Sequence, residues 1–307
     1  MGNELTGKVA IVTGAGRGIG RAYAHALADR GAQVVVSDLA PANGTSAAET
    51  VAEEIRADGG NAVANHADVS VLSDVARLVE TAVATFGRLD ILVANAGIAR
   101  PGRLFDLDPA DWNATLSVHA TGTFNCIHEA APALIEAGGG SIITVGDITT
   151  DLYYPNNGAY RAAKAAIAVT TMYTAEELRE FNINVNAVMP GSTATGMVET
   201  YLSSIDRDSG QFESFVAAAN KVFERPEGES ASAPAAPETV PPLGIYLCTD
   251  EARSITGRFF CLANGLIRLV GPRTEPLDIR TTSPIWSTEE LEAAVPPLVA
   301  RIDSARI

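Results

Sequence analysis

A glycine-rich turn near the start of the chain constrains the fold more than any other feature. The turn reads Thr13-Gly14-Ala15-Gly16-Arg17-Gly18-Ile19-Gly20 and follows a β-branched run at residues 8–13. An apolar-periodic helix comes next, and residues 33–37 form a second strand that ends in Asp38. Glycines let a pyrophosphate approach the backbone N–H groups and the positive end of the helix. Strand, turn, helix and acidic residue together predict a dinucleotide-binding βαβ unit.

Asp38 bears on which dinucleotide is bound. A carboxylate at the end of the second strand can accept hydrogen bonds from both ribose hydroxyls, and it repels a 2′-phosphate. We therefore expect NAD rather than NADP, although Arg17 leaves NADP open. A solvated loop carboxylate is the structural alternative for Asp38.

Strand-like and helix-like segments alternate through most of the chain. Strand signals recur at residues 61–65, 89–93, 141–145, 183–188 and 258–262, with helical stretches between them. This alternation is typical of an α/β, doubly wound parallel sheet. The chain has 307 residues, of which 47% are hydrophobic, so it can bury one large core.

We predict a single Rossmann-type domain over residues 1–271 and a C-terminal extension over residues 272–307. Within the domain, residues 192–240 are predicted to form a substrate lid, because residues 224–237 are rich in Pro, Ala, Ser and Glu. A plain surface insertion is the alternative for that region.

The composition excludes several classes of protein. A formal net charge of −15 argues against a nucleic-acid partner, since phosphate binding needs clustered Lys and Arg. No apolar run approaches the roughly 20 residues of a membrane helix, and the first residues lack the features of a signal peptide. Cys126, Cys248 and Cys261 are widely spaced in apolar surroundings, which favours reduced thiols and no metal site. We expect a cytoplasmic protein with a small-molecule substrate and no membrane partner.

Two further strand ends carry candidate binding residues. Asp68 and Val69 follow the third strand, where Asp68 can meet an adenine amino group or cap the next helix. Asn95-Ala96-Gly97 follows the fourth strand, and small residues there let a ligand lie against the backbone. Asn95 can instead act as a turn former that holds adjacent strands together.

Tyr160 and Lys164 are the candidate chemical groups. If residues 159–179 are helical, as their alanines favour, the two side chains lie four residues apart on one face. An ammonium close to a phenol favours phenolate, so we expect the Tyr160 pKa to fall from about 10 toward neutrality. A general acid/base is most useful when its pKa lies near neutral pH.

The motifs Thr13 to Gly20, Asn95-Ala-Gly97, Tyr160-x-x-x-Lys164 and Pro190-Gly191, in this order and spacing, resemble the short-chain dehydrogenase/reductase family over residues 5–265. The resemblance implies seven parallel strands, a nicotinamide cofactor, a homodimer or homotetramer, and oxidation of an alcohol or reduction of a ketone. The nearest branch in appearance is that of (3R)-hydroxyacyl-CoA dehydrogenases, with bacterial relatives associated with steroid or acyl-CoA breakdown.

The resemblance also assigns roles to single residues. Tyr160 is the proton donor or acceptor, and Lys164 lowers its pKa and binds the nicotinamide ribose. Thr195 would hold the carboxamide. His119 takes the place of an Asn whose backbone carbonyl holds a relay water, although a buried core histidine is its default interpretation. The candidate catalytic residues are Tyr160, Lys164, Asp147 and His119, and the candidate cofactor-binding residues are Gly14, Arg17, Gly18, Ile19, Gly20, Asp38, Asp68, Val69, Asn95, Ala96, Gly97, Tyr160, Lys164, Pro190, Gly191, Thr193 and Thr195.

Asp147 departs from the family pattern. The family has a Ser thirteen residues before the Tyr, to hydrogen-bond the substrate oxygen, and this chain has Asp147. An ionised carboxylate there would raise the Tyr160 pKa and repel an alkoxide-like transition state. An apolar pocket could keep Asp147 protonated as a donor, or Thr149 or Thr150 could supply the hydroxyl. Alternatively, redox chemistry is impaired.

Three functions follow from these alternatives. The leading hypothesis is an NAD-dependent oxidoreductase that transfers hydride between nicotinamide and a secondary alcohol or ketone, with a hydroxyacyl-CoA or hydroxysteroid-like substrate. The second is an NAD-binding protein without turnover, acting as a sensor or inactive subunit. The third uses Asp147 as an ionised base for a proton transfer without net redox.

Overall fold

The computed structural model describes residues 4–41, 44–147, 154–206, 210, 213, 234–263 and 266–270. Within them one sheet contains eight strands: β1 (Val9–Thr13), β2 (Gln33–Ser37), β3 (Asn61–Asn65), β4 (Ile91–Ala94), β5 (Gly140–Val145), β6 (Ile183–Pro190), β7 (Phe259–Ala263) and β8 (Leu266–Val270). Their spatial order is β3-β2-β1-β4-β5-β6-β7-β8.

Helices connect the strands. They are α1 (Gly18–Ala28), α2 (Ala47–Ala57), α3 (Leu72–Phe86), α4 (Pro109–Leu116), α5 (Gly122–Glu136), α6 (Gly158–Glu177), α7 (Gly196–Ser203) and α8 (Pro241–Tyr246). A π-helical turn, Ser117–Thr121, joins α4 to α5, and short 3₁₀ turns occur at Arg179–Phe181, Pro237–Thr239 and Asp250–Ala252. The predicted alternation of strands and helices is confirmed.

The predicted doubly wound sheet is confirmed as well. The seven strands from β1 to β7 pair in parallel, as a buried α/β sheet requires. β8 is an additional strand that the sequence prediction lacked, and it pairs antiparallel with β7 from Ala263↔Leu266 to Phe259↔Val270.

The core lies on both faces of the sheet. Ile11 and Val12 are successive residues of β1, and both are fully buried. Val12 packs in the cluster that contains Leu27 of α1, whereas Ile11 packs in the cluster that contains Leu78 of α3. Because side chains alternate along a strand, a continuous apolar strand such as β1 supplies both clusters.

Local signals in the sequence set several helix ends. Ser46 Oγ accepts a hydrogen bond from Glu49 N at 3.2 Å and caps α2, and Asp108 Oδ1 accepts one from Ala110 N at 2.8 Å at the start of α4. α3 ends at Gly87, whose φ of +86° is the left-handed conformation that glycine adopts freely. The caps at Ser46 and Asp108 mark where two loops at the carboxyl edge of the sheet end, and Gly87 marks the turn at the opposite edge before β4.

The strand order creates a crevice. β1 lies between β2 and β4 in the sheet. β2 and β3 follow one another on one side of β1, and β4 to β8 follow one another on the other side, so the strand order reverses beside β1. Open α/β sheets bind ligands outside the carboxyl ends of the strands at such a switch point. The glycine-rich turn after β1 lies there.

The described residues belong to one compact unit, Met1–Val270. The predicted boundary at residue 271 and the extension over residues 272–307 fall outside the described residues and stay predictions. About half of the predicted lid, residues 192–240, also falls outside them, at residues 207–209, 211–212 and 214–233. All three cysteines are buried as free thiols, as predicted.

Candidate active site

A cleft of about 1020 Å³ opens at the carboxyl ends of β1, β4, β5 and β6. It brings together nearly all of the candidate residues named from the sequence. The candidates that line it are Gly14, Arg17, Gly18, Ile19, Asp38, Asp68, Val69, Asn95, Ala96, Gly97, His119, Asp147, Tyr160, Lys164, Pro190, Gly191, Thr193 and Thr195. Gly20 is the exception and lies behind the turn.

The glycine turn forms a close-packed cradle. Gly14 and Gly18 have φ values of +63° and +55°, which disfavour any side chain. A Cβ on Gly20 would collide with the Gly14 carbonyl oxygen, so Gly20 lets the helix start pack directly under the turn. The cradle thus presents backbone at the start of α1, which fits a pyrophosphate.

Asp38 is held by the turn itself. Its Oδ2 accepts a hydrogen bond from Gly16 N at 2.8 Å, and its Oδ1 accepts one from Leu39 N at 2.8 Å. Each carboxylate oxygen retains a lone pair for a further donor. The carboxylate is therefore fixed at the edge of the cleft, where two ribose hydroxyls could donate to it.

Asn95 has the structural role that the sequence left open, whereas Asp68 does not cap α3, which begins at Leu72 with Val71 as its N-cap. Asp68 Oδ1 accepts hydrogen bonds from Ser70 N at 2.9 Å and Ser70 Oγ at 2.7 Å, which stabilises the turn before α3. Asn95 Nδ2 donates to Thr13 O at 2.9 Å and ties the end of β4 to the end of β1. Both residues line the cleft, so these roles leave room for contact with a ligand.

Tyr160 and Lys164 lie on the first turns of α6, as the spacing predicted. Lys164 is buried, its Nζ donates to Val145 O at 2.6 Å, and it lies 5.4 Å from the centre of the Tyr160 ring. Burial lowers the pKa of Lys164 to about 8, and the nearby Asp147 carboxylate opposes that fall.

The expected fall in the Tyr160 pKa is wrong for this arrangement of residues. Burial raises the pKa of Tyr160, and the charge of Asp147 raises it further, with only Arg161 acting in the opposite direction. The phenol therefore keeps its proton more firmly than a free tyrosine does.

Asp147 is paired with a residue that the sequence reasoning missed. Arg161 Nη1 donates to Asp147 Oδ1 at 2.8 Å, and the guanidinium lies 4.1 Å from the centre of the Tyr154 ring. Asp147 therefore lies beside a cation, not in the apolar pocket that would keep it protonated. Thr149 and Thr150, the alternative hydroxyl donors, lie outside the described residues.

His119 occupies the π-helical turn and is fully buried. Its Nε2 lies 3.0 Å from Ile98 N and 2.9 Å from Ile98 O, and its ring meets the Tyr160 ring edge to face at 5.2 Å. Burial, together with the Lys164 ammonium, lowers the pKa of His119 to about 3. A Cβ on Gly97 would collide with the imidazole, so the close approach of these elements requires glycine there.

The segment after β6 completes the cleft. Gly191 N donates to Leu262 O at 2.7 Å, and Thr193 Oγ1 donates to Gly191 O at 3.1 Å. Thr195 Oγ1 accepts from Val198 N at 3.5 Å at the start of α7. These bonds fix the backbone path after β6, and Thr193 and Thr195 line the same cleft as Tyr160.

The described residues lack two other kinds of feature. No group of three or more His, Cys, Asp or Glu residues there could hold a metal ion. None of the helices there is both long enough and apolar enough to cross a membrane.

Comparison with known proteins identifies the family. The family model described as short chain dehydrogenase matches residues 8–205, which is more than half of the chain. The chain belongs to the short-chain dehydrogenase family. The sequence resemblance to this family is thus confirmed.

Individual relatives support the same conclusion. The short-chain dehydrogenase is 40% identical over 208 residues to an uncharacterised protein named as an NAD-dependent oxidoreductase from Mycobacterium tuberculosis, a match that covers 64% of this chain and 76% of that protein. A crystal structure of a short chain dehydrogenase from Mycobacterium avium has 34% identity and a TM-score of 0.79, with 96% of each chain covered. A 7α-hydroxysteroid dehydrogenase in complex with NADH and 7-oxoglycochenodeoxycholic acid has 30% identity and a TM-score of 0.72, covering 86% of this chain and 95% of that one.

Proposed function

We propose that this protein is an NAD-dependent oxidoreductase that interconverts a secondary alcohol and its ketone. The observation that carries the proposal is the meeting of Tyr160 and Lys164 with the glycine cradle and Asp38 in one cleft. A dinucleotide extended from the cradle toward Thr195 would end beside Tyr160. The NADH bound by the hydroxysteroid dehydrogenase relative supports the choice of cofactor.

The residues of the cleft fit this cofactor. The crowded cradle fits a pyrophosphate, because a Cβ on Gly14 would lie 2.8 Å from Ala96 Cα and leave no room for a side chain. The fixed Asp38 carboxylate fits an adenosine ribose without a 2′-phosphate. When bound, the nicotinamide supplies the acceptor or donor of hydride.

The protein side chains supply the proton chemistry and the positioning. Tyr160 would exchange a proton with the substrate oxygen, and Lys164, 5.4 Å from the centre of the Tyr160 ring, would bind the nicotinamide ribose and supply positive charge near the phenol. Thr195 would hold the carboxamide, and Thr193 lines the same cleft. Asp68, Val69 and Asn95 border the adenine side of the cleft.

For the substrate we propose a hydroxysteroid-like ring alcohol or a (3R)-hydroxyacyl-CoA. The first class is supported by the hydroxysteroid dehydrogenase relative, whose complex includes a 7-oxo bile acid conjugate. We further propose a homodimer or homotetramer in the cytoplasm, which light scattering and fractionation can check.

A panel of hydroxysteroids and (3R)-hydroxyacyl-CoAs, with NAD binding measured by calorimetry, tests the proposal. We expect nicotinamide absorbance to rise with at least one alcohol. Tyr160→Phe should lose turnover by at least about 100-fold while it retains NAD binding. NAD binding without an absorbance change for any alcohol would contradict the proposal.

One observation favours a second candidate, an NAD-binding protein without turnover. Tyr160 keeps its proton firmly, because burial and Asp147 raise its pKa. In that case the wild-type protein binds NAD but is inactive, and Asp147→Ser gains activity from near zero.

A further inference from the structure

We propose that Asn156 and Tyr201 are positioning residues that fasten α7 across the cleft, so that Thr195 at its start is in place when the nicotinamide end of NAD binds. This role rests on the proposed function and deepens it, because it concerns how the proposed cofactor is held. Neither Asn156 nor Tyr201 is among the candidates named from the sequence.

α7 connects two sides of the cleft. At its start, Thr195 lies against the glycine turn, where a Cβ built on Gly18 would be only 3.1 Å from Thr195 Cγ2. At its other end, two hydrogen bonds join the helix to residues 155–156, which come shortly before Tyr160. Between these ends, residues 196–201 line the cleft. The helix therefore borders both the proposed pyrophosphate site and the proposed site of proton transfer.

α7 has little other attachment to the domain. Of its eight residues, all of which the structure describes, only Tyr201 is buried. None of the other described helices and strands packs extensively against it. A helix this short is marginal by itself in water, so its position depends on the contacts at its ends. Near the start, Ala194 N donates to Ala235 O at 2.8 Å and supplies one such contact.

Two hydrogen bonds hold the far end of the helix. Tyr201 Oη donates to Pro155 O at 3.0 Å in buried surroundings. Asn156 Nδ2 donates to Ser204 O at 2.9 Å, directly after the last turn. The second bond satisfies a carbonyl group at the helix end, where carbonyl groups lack partners within the helix. Both bonds join α7 to the same short segment of the chain.

That segment is itself fixed. Asn156 O accepts a hydrogen bond from Gly102 N at 2.8 Å, and Gly102 pairs with Asn157 in a short parallel bridge. A Cβ on Gly158 would collide with the Leu104 side chain, so the start of α6 packs closely against the same loop. α7 is thus tied to a firmly held segment that leads directly into α6.

The backbone at residue 156 permits a matched pair of variants. Asn156 has a φ of +58°, in the left-handed region where Gly and Asn are the usual residues. Glycine fits this backbone equally well but has no amide to donate. Asn182 has the same φ, and its Nδ2 donates to Gly138 O at 3.4 Å on the exposed surface. It directly precedes β6, at the edge of the sheet opposite the cleft, so Asn182→Gly is the control for Asn156→Gly.

Calorimetry with NADH and with ADP-ribose tests the role, because the two molecules differ by the nicotinamide. Asn156→Gly keeps the backbone conformation and removes the amide, and Tyr201→Phe removes only the hydroxyl. Each variant should bind NADH at least about threefold more weakly than the wild type, because part of the binding energy must then order α7. Each should bind ADP-ribose within about twofold of the wild type, since the glycine cradle and Asp38 are unchanged.

Two control variants accompany these measurements. Asn182→Gly removes an amide from the same backbone conformation, and Tyr173→Phe removes the hydroxyl of a tyrosine that is 62% exposed on α6. Both should bind NADH as the wild type does. Unchanged NADH affinity in Asn156→Gly or in Tyr201→Phe overturns the role of that residue. Equal weakening of NADH and ADP-ribose also overturns it, because it would indicate a general loss of structure.

Hydrogen exchange in the cofactor-free protein tests the fastening of α7 without any ligand. The amides of residues 200–204 should exchange at least about threefold faster in Asn156→Gly and in Tyr201→Phe than in the wild type. In Asn182→Gly they should exchange at the wild-type rate. Equal rates in all of these proteins overturn the proposal.

The positioning role and the proposed function fail in different ways. If the wild type oxidises no alcohol but its NADH affinity depends on Asn156 and Tyr201 as expected, the proposed function falls and the positioning role stands. If the wild type oxidises an alcohol while both variants bind NADH as it does, the positioning role alone falls. A wild type that binds no NADH overturns both.

Discussion

His119 makes the stability of this protein sensitive to acid. Its pKa is lowered to about 3 in the folded protein, first by burial and then by the Lys164 ammonium, against 6.5 for an ordinary histidine. Between these two values the unfolded chain binds a proton that the folded chain refuses, so the free energy of unfolding falls as the pH drops below about 6.5. At pH 5 the histidine is about 1.5 pH units below its unfolded value, which corresponds to about 2 kcal/mol.

The perturbation is His119→Asn, which removes the titrating ring and keeps one donor and one acceptor for the Ile98 backbone. Urea unfolding at pH 7.5 and at pH 5, at one protein concentration, gives the loss of stability for each protein. We expect the wild type to lose about 2 kcal/mol more than the variant between the two pH values. The absolute stability of the variant does not affect this comparison, because the smaller side chain lowers the free energy of unfolding at both pH values.

The comparison isolates His119 because the other histidines, His25, His66 and His128, are present in both proteins. Equal losses in the two proteins, within about 0.5 kcal/mol, would refute the reasoning. They would mean that residue 119 takes up a proton as readily in the folded chain as in the unfolded one, which is incompatible with a buried neutral imidazole.

Three further outcomes follow from the contacts. Gly20→Ala places a Cβ against the Gly14 carbonyl oxygen. The NAD affinity measured by calorimetry should therefore fall at least about tenfold, and the protein should unfold at a lower temperature. Asp38→Ser removes the carboxylate that accepts a hydrogen bond from Gly16 N. The ratio of NAD affinity to NADP affinity should therefore fall by about tenfold or more. An unchanged ratio would exclude the proposed contact between Asp38 and the ribose. Asn186→Ala deletes a buried amide that donates to Ile255 O at 2.7 Å and accepts from Arg258 N at 3.0 Å. The free energy of unfolding, measured with a chemical denaturant, should therefore fall by about 3 kcal/mol.

The fold could be predicted from the sequence because the sequence signals for its strands and turns are local. β-branched runs ended by glycine predicted the parallel strands, and the turn from Thr13 to Gly20 fixed where the sheet meets a ligand. β8 was missed although Asn264-Gly265 in the sequence is a strong hairpin signal between two apolar runs. The sequence prediction ended the last strand at residue 262 and had no further strand before the C-terminal extension.

The site was only partly predictable, for a different reason. Motif spacing brought Tyr160, Lys164 and Asp38 into one cleft, but spacing says nothing about charge balance. Arg161 lies next to the motif tyrosine, yet only the folded chain brings it beside Asp147, which is 14 residues earlier. The Tyr160 pKa was predicted in the wrong direction because burial and that carboxylate raise it, and the only opposing effect comes from Arg161.

The π-helical turn at Ser117–Thr121 has a consequence for the position of His119. α4, the turn and α5 form one continuous helical rod from Pro109 to Glu136. A π turn holds one residue more than an α turn, so it is equivalent to a single insertion in an otherwise regular helix. Deleting one residue there would leave both flanking helices in phase with their packing partners. His119 therefore owes its place beside Ile98 and Tyr160 to an extra residue that the flanking helices themselves do not require.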